Sequence, residues 1–343
     1  MTILVTGGAG FIGTHTLVEL DAADHSFVVV DNFSNSSQKA LTAVEKITNK
    51  PICFFDVDVR NEEALQQIFE NQAAAGRPIT TVIHFAALKS VSESVSHAVR
   101  YYDNNIGGLL KLLGAMTKSN VNNIVFSSSA TVYGDPEALP FEENHPVRPK
   151  NPYGHTKAMA EQILDDWAKQ DKKNKAIALR YFNPIGAHPS GIIGEDPNGV
   201  PNNIFPYITR VALGHLPWLN IFGNDYSTVD GTGVRDYLHV VDLAKAHELS
   251  VRYLEKSSEG FFKAVNLGTG TGTSVFQLVQ SFELQCGVSI PYQIATRRNG
   301  DVSSAWANPQ LAKNLIGWTA KLSIADMCRD GWNWQYKNPR GYN

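Results

Sequence analysis

Tyr153 and Lys157 stand four residues apart in Tyr153-Gly154-His155-Thr156-Lys157. On a helix that spacing puts both side chains on one face, about 6 Å apart along the axis. A phenol beside an ammonium group is a candidate proton carrier, although packing and solubility alone also produce such pairs. A run of hydroxyls, Ser127-Ser128-Ser129-Ala130-Thr131-Val132-Tyr133-Gly134, follows an apolar β pattern further upstream. Near the N-terminus, Thr6-Gly7-Gly8-Ala9-Gly10-Phe11-Ile12-Gly13 joins a strand pattern to a helix pattern. Glycine at 7, 10 and 13 lets the backbone turn tightly and approach a pyrophosphate, and the helix N-terminus supplies N–H groups and a positive dipole end. Asp31 closes the next strand, eighteen residues past Gly13. An acid at that position binds adenosine ribose hydroxyls. It also repels a 2′-phosphate, and no arginine lies within 32–37 to attract one. NAD is therefore favoured over NADP. Asp58-Val59, after the third strand, is placed to meet the adenine. A hydroxyl at a strand end, a tyrosine on the next helix and a glycine-rich cofactor turn make a coherent hydride-transfer site.

The elements that must hold these residues are legible as alternation. Ile3–Thr6, Ser26–Asp31, Ile52–Asp56, Val82–Phe85, Ile124–Ser127 and Ala176–Tyr181 read as short buried strands. Helical patterns intervene, among them Glu62–Asn71, Tyr101–Thr117 and Thr156–Lys169. Strands alternating with helices predict right-handed βαβ crossovers and a parallel sheet. After Asn183 the chain becomes dense in Pro, Gly and Asn as far as Gly233, with one helix pattern at Ile204–Ala212. Val265–Gly268 resumes as a strand and Ser274–Glu283 as a helix. The expected fold is α/β: a Rossmann-type, doubly wound parallel sheet with a smaller C-terminal α/β substrate domain. The boundary is expected near 180, giving an NAD-binding domain over 1–180 and a nucleotide-sugar domain over 181–343, with segments of the second half able to pack back on the first.

Composition narrows the function classes. The chain has 343 residues, 43% of them hydrophobic and 18% charged, with a formal net charge of −3. That is too apolar and too lightly charged for a disordered chain. It lacks the basic excess of a nucleic-acid or membrane-surface binder. Cys53, Cys286 and Cys328 form no CxxC pair, which argues against a zinc site and a disulfide framework and for a reducing compartment. The start of the chain reads as a strand and not as a signal peptide, and no apolar run reaches membrane-spanning length. A cytoplasmic location and a small-molecule partner are expected. No HExxH or other close ligand cluster occurs among the histidines, so no metal is expected.

Longer stretches are more specific than either short motif. TGGAGFIG at 6–13, DNFSNS at 31–36, HFAALKSVSES at 84–94, YYDNN at 101–105, SSSATVYGD at 127–135 and NPYGHTK at 151–157 are similar to the extended short-chain dehydrogenase/reductase family. RYFNPIGAHPSG at 180–191, PNN at 201–203, IFGNDY at 221–226 and DGTGVRDYLHV at 230–240 carry the resemblance nearly to the end of the chain. Within the family it is the UDP-hexose 4-epimerases that the chain resembles. The resemblance implies interconversion of UDP-galactose and UDP-glucose through a 4-keto sugar, by transient hydride transfer to tightly bound NAD.

It also implies roles residue by residue. Tyr153 as phenolate takes the proton of the sugar 4-hydroxyl, and Ser129 hydrogen-bonds the same oxygen. A phenol with a reference pKa of about 10 needs a depression of roughly three units, about 4 kcal/mol, to do this at neutral pH. Lys157 and the nicotinamide cation are the expected sources. Phe11 and Ile12 lie in the cofactor turn; Asn32, Phe33, Ser34, Asn35 and Ser36 run with Asp31 along the adenosine ribose and phosphate. Phe85, Ala86, Ala87, Lys89 and Asn104 line the cofactor cleft, with Lys89 reaching both ligands, and Phe182 borders the nicotinamide end. Asn183, Asn203, Arg235 and Arg298 take the diphosphate, where an arginine fork matches the geometry. Asp301 takes the uridine ribose, and Asn220, Ile221 and Phe222 lie beside the uracil. At 305 many bacterial relatives carry tyrosine; here Ala305 leaves room for a 2-acetamido group, so UDP-GalNAc and UDP-GlcNAc are expected as further substrates. A homodimer is expected through the helices over 101–117 and 156–169.

Two other readings compete. A nucleotide-sugar 4,6-dehydratase or decarboxylase commonly needs a carboxylate just before Val132-Tyr133-Gly134, where this chain has Ala130 and Thr131. A non-catalytic NAD-sensing scaffold is possible on the same fold, but it could dispense with Ser129, Tyr153 and Lys157 together.

Overall fold

The computed structural model describes residues 2–342 apart from 198, 200, 202, 299 and 300. Asn202, within the stretch 201–203, thus lies outside the described residues. The first half alternates strand and helix: β1 Thr2–Thr6, α1 Phe11–Ala22, β2 Ser26–Asp31, α2 Gln38–Thr48, β3 Phe54–Asp56, α3 Glu62–Ala74 and β4 Ile79–His84. Then come α4 Val91–Ser96, α5 Ala98–Tyr102, α6 Gly108–Lys118, β5 Asn123–Ser127, α7 Pro152–Gln170 and β6 Lys175–Tyr181. The remainder holds β7 Asn183–Ile185, α8 Ile204–Ala212, β8 Leu219–Phe222, β9 Val234–Arg235, β10 Tyr237–His239, α9 Val240–Lys256 and β11 Phe261–Leu267. It ends with β12 Thr273–Ser274, α10 Val275–Cys286, β13 Tyr292–Ala295, β14 Ser304–Ala305, α11 Gln310–Ile316 and α12 Ile324–Lys337.

A seven-stranded parallel sheet runs in the order β11-β6-β5-β4-β1-β2-β3. Its period-two alternation sorts side chains to two faces. Ile3, Val5, Val29, Ile83, Val125 and Ile177 pack with α1 and α9 through Leu17, Leu20, Leu243 and Leu254. Leu4, Val28, Val30, Val82, Ile124 and Phe126 pack with α3, α6 and α7 through Leu65, Leu112, Met116 and Leu164. Each such aliphatic side chain, fully buried, is worth about 1.5–3 kcal/mol. Because both faces are covered, these strands read as unbroken apolar runs. From β1 the chain winds outward through β2 and β3, then returns to β4 on the other side. That reversal opens a crevice at the carboxyl ends of β1 and β4, where ligands of such sheets bind. The seventh strand comes from beyond residue 180, so the large sheet draws on both halves of the chain.

A smaller core joins α8, α10 and α12 to β8 through Phe205, Ile208, Leu219, Ile221, Phe282 and Met327. β9 holds β12 and β14 on its two sides. The turn at 268–272 connects β11 to β12 and α10 and is filled by the Asp236 carboxylate, which accepts from the Thr269 and Gly270 amides at 2.8 and 3.2 Å. An acid in that place suits a structural turn and not a phosphate loop.

Two helices differ from their sequence patterns. The helix expected at 101–117 is interrupted by a π turn over Asp103–Gly107. The extra residue carries Asn105 inward, where its side chain bonds both backbone groups of Leu88 and the Thr156 hydroxyl. Apolar periodicity carries no signal for such an exchange. α7 begins four residues before Thr156: the Asn151 side chain accepts from the Gly154 amide at 2.9 Å and Pro152 occupies the first helical position. Both are standard helix-starting devices, and they put Tyr153 in the first turn.

Candidate active site

The crevice holds a cavity of about 770 Å³ that extends from the β1–α1 turn past the end of β5 to the loops around β8 and β9. Gly7, Gly10, Phe11, Ile12 and Gly13 line its first part. Gly7 has φ +71°, and a Cβ there would lie 2.6 Å from the Ala86 amide nitrogen. A Cβ on Gly13 would lie 2.5 Å from the Gly7 carbonyl oxygen. These glycines let two backbone segments close around the start of α1, whose cap, Gly10, has no side chain to occupy the helix N-terminus. The cradle fits a dinucleotide diphosphate.

Asp31 lines the cavity beside this turn. Its carboxylate accepts from the Ala9 and Phe33 amides at 3.0 Å each and from the Ser36 hydroxyl at 2.9 Å. Burial nonetheless raises its pKa above the ordinary carboxylate value. Asn32, Ser34, Asn35, Ser36 and Val59 also line the cavity, as do Phe85, Ala86, Ala87, Lys89 and Asn104. Phe33 and Asp58 are not among the lining residues. Phe33 turns its ring edge-on to Phe54, with centroids 5.8 Å apart. Asp58 is engaged by Arg60 at 2.7 Å and by the Asn32 amide group at 3.1 Å, and Arg60 holds its pKa down at about 2.

Ser129, Tyr153 and Lys157 meet in the middle of the cavity. The Ser129 hydroxyl adjoins the Tyr153 phenol and accepts from the Thr131 hydroxyl at 3.0 Å. Lys157 donates to the Ser127 carbonyl at 2.6 Å, with its nitrogen 5.8 Å from the Tyr153 ring centre. Burial governs the titration of both. It pushes Tyr153 up to about 12, against the opposing influence of the neighbouring Ser129 hydroxyl. It pulls Lys157 down to about 7, against the Glu161 anion. Burial thus opposes ionisation of both groups in the empty cavity, the direction that the expected charges of Lys157 and the nicotinamide cation would have to offset.

Phe182, Asn183, Asn203, Asn220, Ile221, Phe222, Arg235, Arg298 and Asp301 line the far part. Arg298 stacks on the Phe222 ring at 3.9 Å. Arg235 pairs with Asp301 at 2.5 Å and leaves its sequence neighbour Asp236 to the 268–272 turn. Asn203 and Lys89 both donate to Glu195, at 3.1 and 3.3 Å. Ala305 does not line the cavity. It pairs with Arg235 in the small sheet and packs against the cluster of Val132, Tyr133, Phe141 and Phe182. Sequence reasoning missed Tyr181, Glu195, Tyr207 and Trp218 in the lining. Tyr181 ends β6 with its hydroxyl 2.5 Å from that of Ser127. Trp218, in a His-Leu-Pro-Trp loop just before the expected uracil contacts, was the one with a readable signal. Among the described residues, no group of three or more His, Cys, Asp or Glu side chains is arranged to hold a metal ion.

The family described as GDP-mannose 4,6 dehydratase matches residues 4–331. UDP-glucose 4-epimerase of Bacillus subtilis (strain 168) is 53% identical over 344 residues, spanning 100% of this chain and 99% of that protein. The chain belongs to the UDP-glucose 4-epimerase family. A crystal structure of that family's member from Stenotrophomonas maltophila, with bound NAD and formylated UDP-arabinopyranose, superposes with a TM-score of 0.95 at 45% identity over 99% of both chains. That from Bifidobacterium longum, in complex with NAD+ and UDP, gives 0.93 at 48% identity over 99% of this chain and 100% of that one. UDP-glucose 4-epimerases and 4,6-dehydratases share the superfamily fold, but the turn at Ala130–Val132 carries no carboxylic acid here, which disfavours dehydration.

Proposed function

We propose that this enzyme is an NAD-dependent isomerase interconverting UDP-galactose and UDP-glucose, by inversion at C4 of the hexose. What carries the reading is one cavity lined by the glycine cradle, the Ser129–Tyr153–Lys157 group and two arginines. Bound NAD supplies a reversible hydride acceptor for C4, so the reaction has no net redox change. Asp31 and the glycine turn hold the cofactor, and Lys89 and Asn104 flank it. Tyr153 takes the 4-hydroxyl proton and returns it, and Ser129 holds the same oxygen. Lys157 adds positive charge beneath the phenol. Arg235 and Arg298 bind the diphosphate at the opposite end, leaving the sugar free to present either face to Tyr153. On this division, 1–180 carries the cofactor half of the site and 181–343 most of the nucleotide-sugar half.

Proton NMR of UDP-galactose incubated with the purified protein, with no NAD added, is expected to show the gluco anomeric signal. No conversion even after NAD addition rules the reading out, and a 6-deoxy methyl doublet indicates dehydration. The N-acetylated pair is a further substrate class in this proposal: Ala305 packs against the cluster that holds Phe182, which lines the cavity, and a small residue there would let that wall yield to a 2-acetamido group. UDP-GlcNAc in the same assay is expected to give the galacto product, and Ala305→Tyr to suppress it; negligible wild-type turnover contradicts this.

The protein is proposed to be a cytoplasmic homodimer. Its three cysteines are free thiols, which suits a reducing compartment, and among the described residues no helix is long and apolar enough to cross a membrane. Val95, Val99, Leu110 and Met159 are exposed on α4, α5, α6 and α7, a face that a second copy would cover. A single monomer-sized species in sedimentation velocity contradicts the dimer.

A further inference from the structure

A charged pair buried beside the reacting groups has no part in the chemistry described so far. Glu161 and Arg180 are each 5% exposed. Arg180 grips the carboxylate with Nε, 3.0 Å from Oε1, and with Nη2, 2.6 Å from Oε2. A buried pair of this kind seldom adds net stability over well-packed apolar side chains, so its presence points to another use. Tyr153, Lys157 and Glu161 follow one another at intervals of four along α7, which places Glu161 one turn beyond Lys157. Its Oε1 also accepts the Ser128 hydroxyl at 2.5 Å. The last strand residue and the next are therefore each bonded to α7, Ser127 through Lys157 and Ser128 through Glu161, and Ser129, next along, adjoins Tyr153. Arg180, on β6, holds the carboxylate from the far side. Its Nη1 continues to the Tyr133 hydroxyl at 3.0 Å, which donates to Asn266 on β11 at 2.6 Å.

We propose that Glu161 is a positioning residue of the epimerisation: it fastens the end of β5 to α7, so that Ser129 and Tyr153 stay opposed, and keeps an anion one turn from Lys157. This rests on the roles given above to Ser129, Tyr153 and Lys157. The groups facing Lys157 are Tyr153 and Glu161 on its own helix, His84 on β4, and Arg180 of β6 behind Glu161; Tyr181 of β6 adjoins Tyr153. Burial keeps His84 neutral, with its pKa drawn down to about 3. Glu161 is thus the one anion in that set, and its field favours the protonated lysine.

Glu161→Gln keeps the shape and removes the charge, whereas Ser128→Ala removes only the tie to the strand end. Both are compared with wild type for kcat against pH per NAD-loaded site, for UDP affinity by calorimetry, and for melting temperature. E161Q is expected to lower kcat about thirtyfold, as a small misplacement of reacting groups does, with UDP affinity within about twofold of wild type. Its alkaline limb moves down by about one pH unit, because a lysine without its anion gives up its proton sooner. S128A is expected to lower kcat about fivefold with the alkaline limb unmoved, since the carboxylate remains. Folded variants with wild-type kcat and an unmoved profile overturn the proposal, as does a fall in melting temperature alone. If E161Q leaves Arg180 unpaired and does not fold, S128A decides. A wild type that does not epimerise UDP-galactose removes the underlying reading too; an active wild type with unaffected variants removes only this one.

Discussion

Replacing Tyr153 with phenylalanine is expected to lower kcat by about 10³, with UDP affinity within about threefold of wild type. A positioned general acid–base contributes about 10²–10⁴ in rate, and a loss confined to the transition state leaves ground-state binding intact. The structure offers no ready substitute. An adjoining phenol, Tyr181, lines the cavity too, but its hydroxyl is bound to that of Ser127. Ser129 can hold the 4-oxygen, but a serine hydroxyl is far too weak an acid to take over proton transfer. Burial sets the direction of the pH dependence. With the phenol raised to about 12 and the lysine lowered to about 7, both tend to their neutral forms between those limits in the empty protein. The phenolate is gained as pH rises and the lysine cation is lost, and positive charge added beside the phenol on cofactor binding is expected to shift it downward, toward neutrality. Steady-state kcat and calorimetric UDP binding on the phenylalanine variant check this. Wild-type kcat in that variant would move the base to another residue.

Gly7→Ala is expected to cost about 3 kcal/mol of stability and to strip the protein of NAD. Two penalties add at this position. At φ +71° an alanine is disfavoured by about 1–2 kcal/mol. Its Cβ would also fall 2.6 Å from the Ala86 nitrogen and 2.9 Å from the Ala86 Cα. Those are backbone atoms that cannot swing aside, and such overpacking costs about 1–3 kcal/mol. Displacing them moves Phe85–Ala87, which line the same cavity, and strains the Gly7 hydrogen bond to the Val30 carbonyl. Gly10→Ala is the internal control. Gly10 has φ −76°, and a Cβ there meets only the Gly7 carbonyl oxygen, at 3.3 Å. It should fold within about 1 kcal/mol of wild type and lose cofactor by crowding the cradle alone. Thermal melts and NAD released on denaturation separate the two cases; equal behaviour of both variants contradicts the argument from Gly7.

Much of this protein is written in local patterns. Two-residue alternation and apolar runs mark the strands, and glycines mark the turn into α1. Such signals depend on backbone sterics and on neighbours a few residues away, so the alternating α/β order, the glycine cradle, Asp31 and the Ser–Tyr–Lys group could be read from residue types and spacing. Side-chain partnerships between distant segments could not. Arg235 binds Asp301 and leaves Asp236 to the 268–272 turn; Phe33, Asp58 and Ala305 sit outside the lining; Asn105 turns inward on a π turn. The seventh strand arrives from 261–267, and Glu161 finds Arg180 and Ser128 only once β5, β6 and α7 have packed. These outcomes follow from desolvation and close packing among elements far apart in the chain, which no local period records.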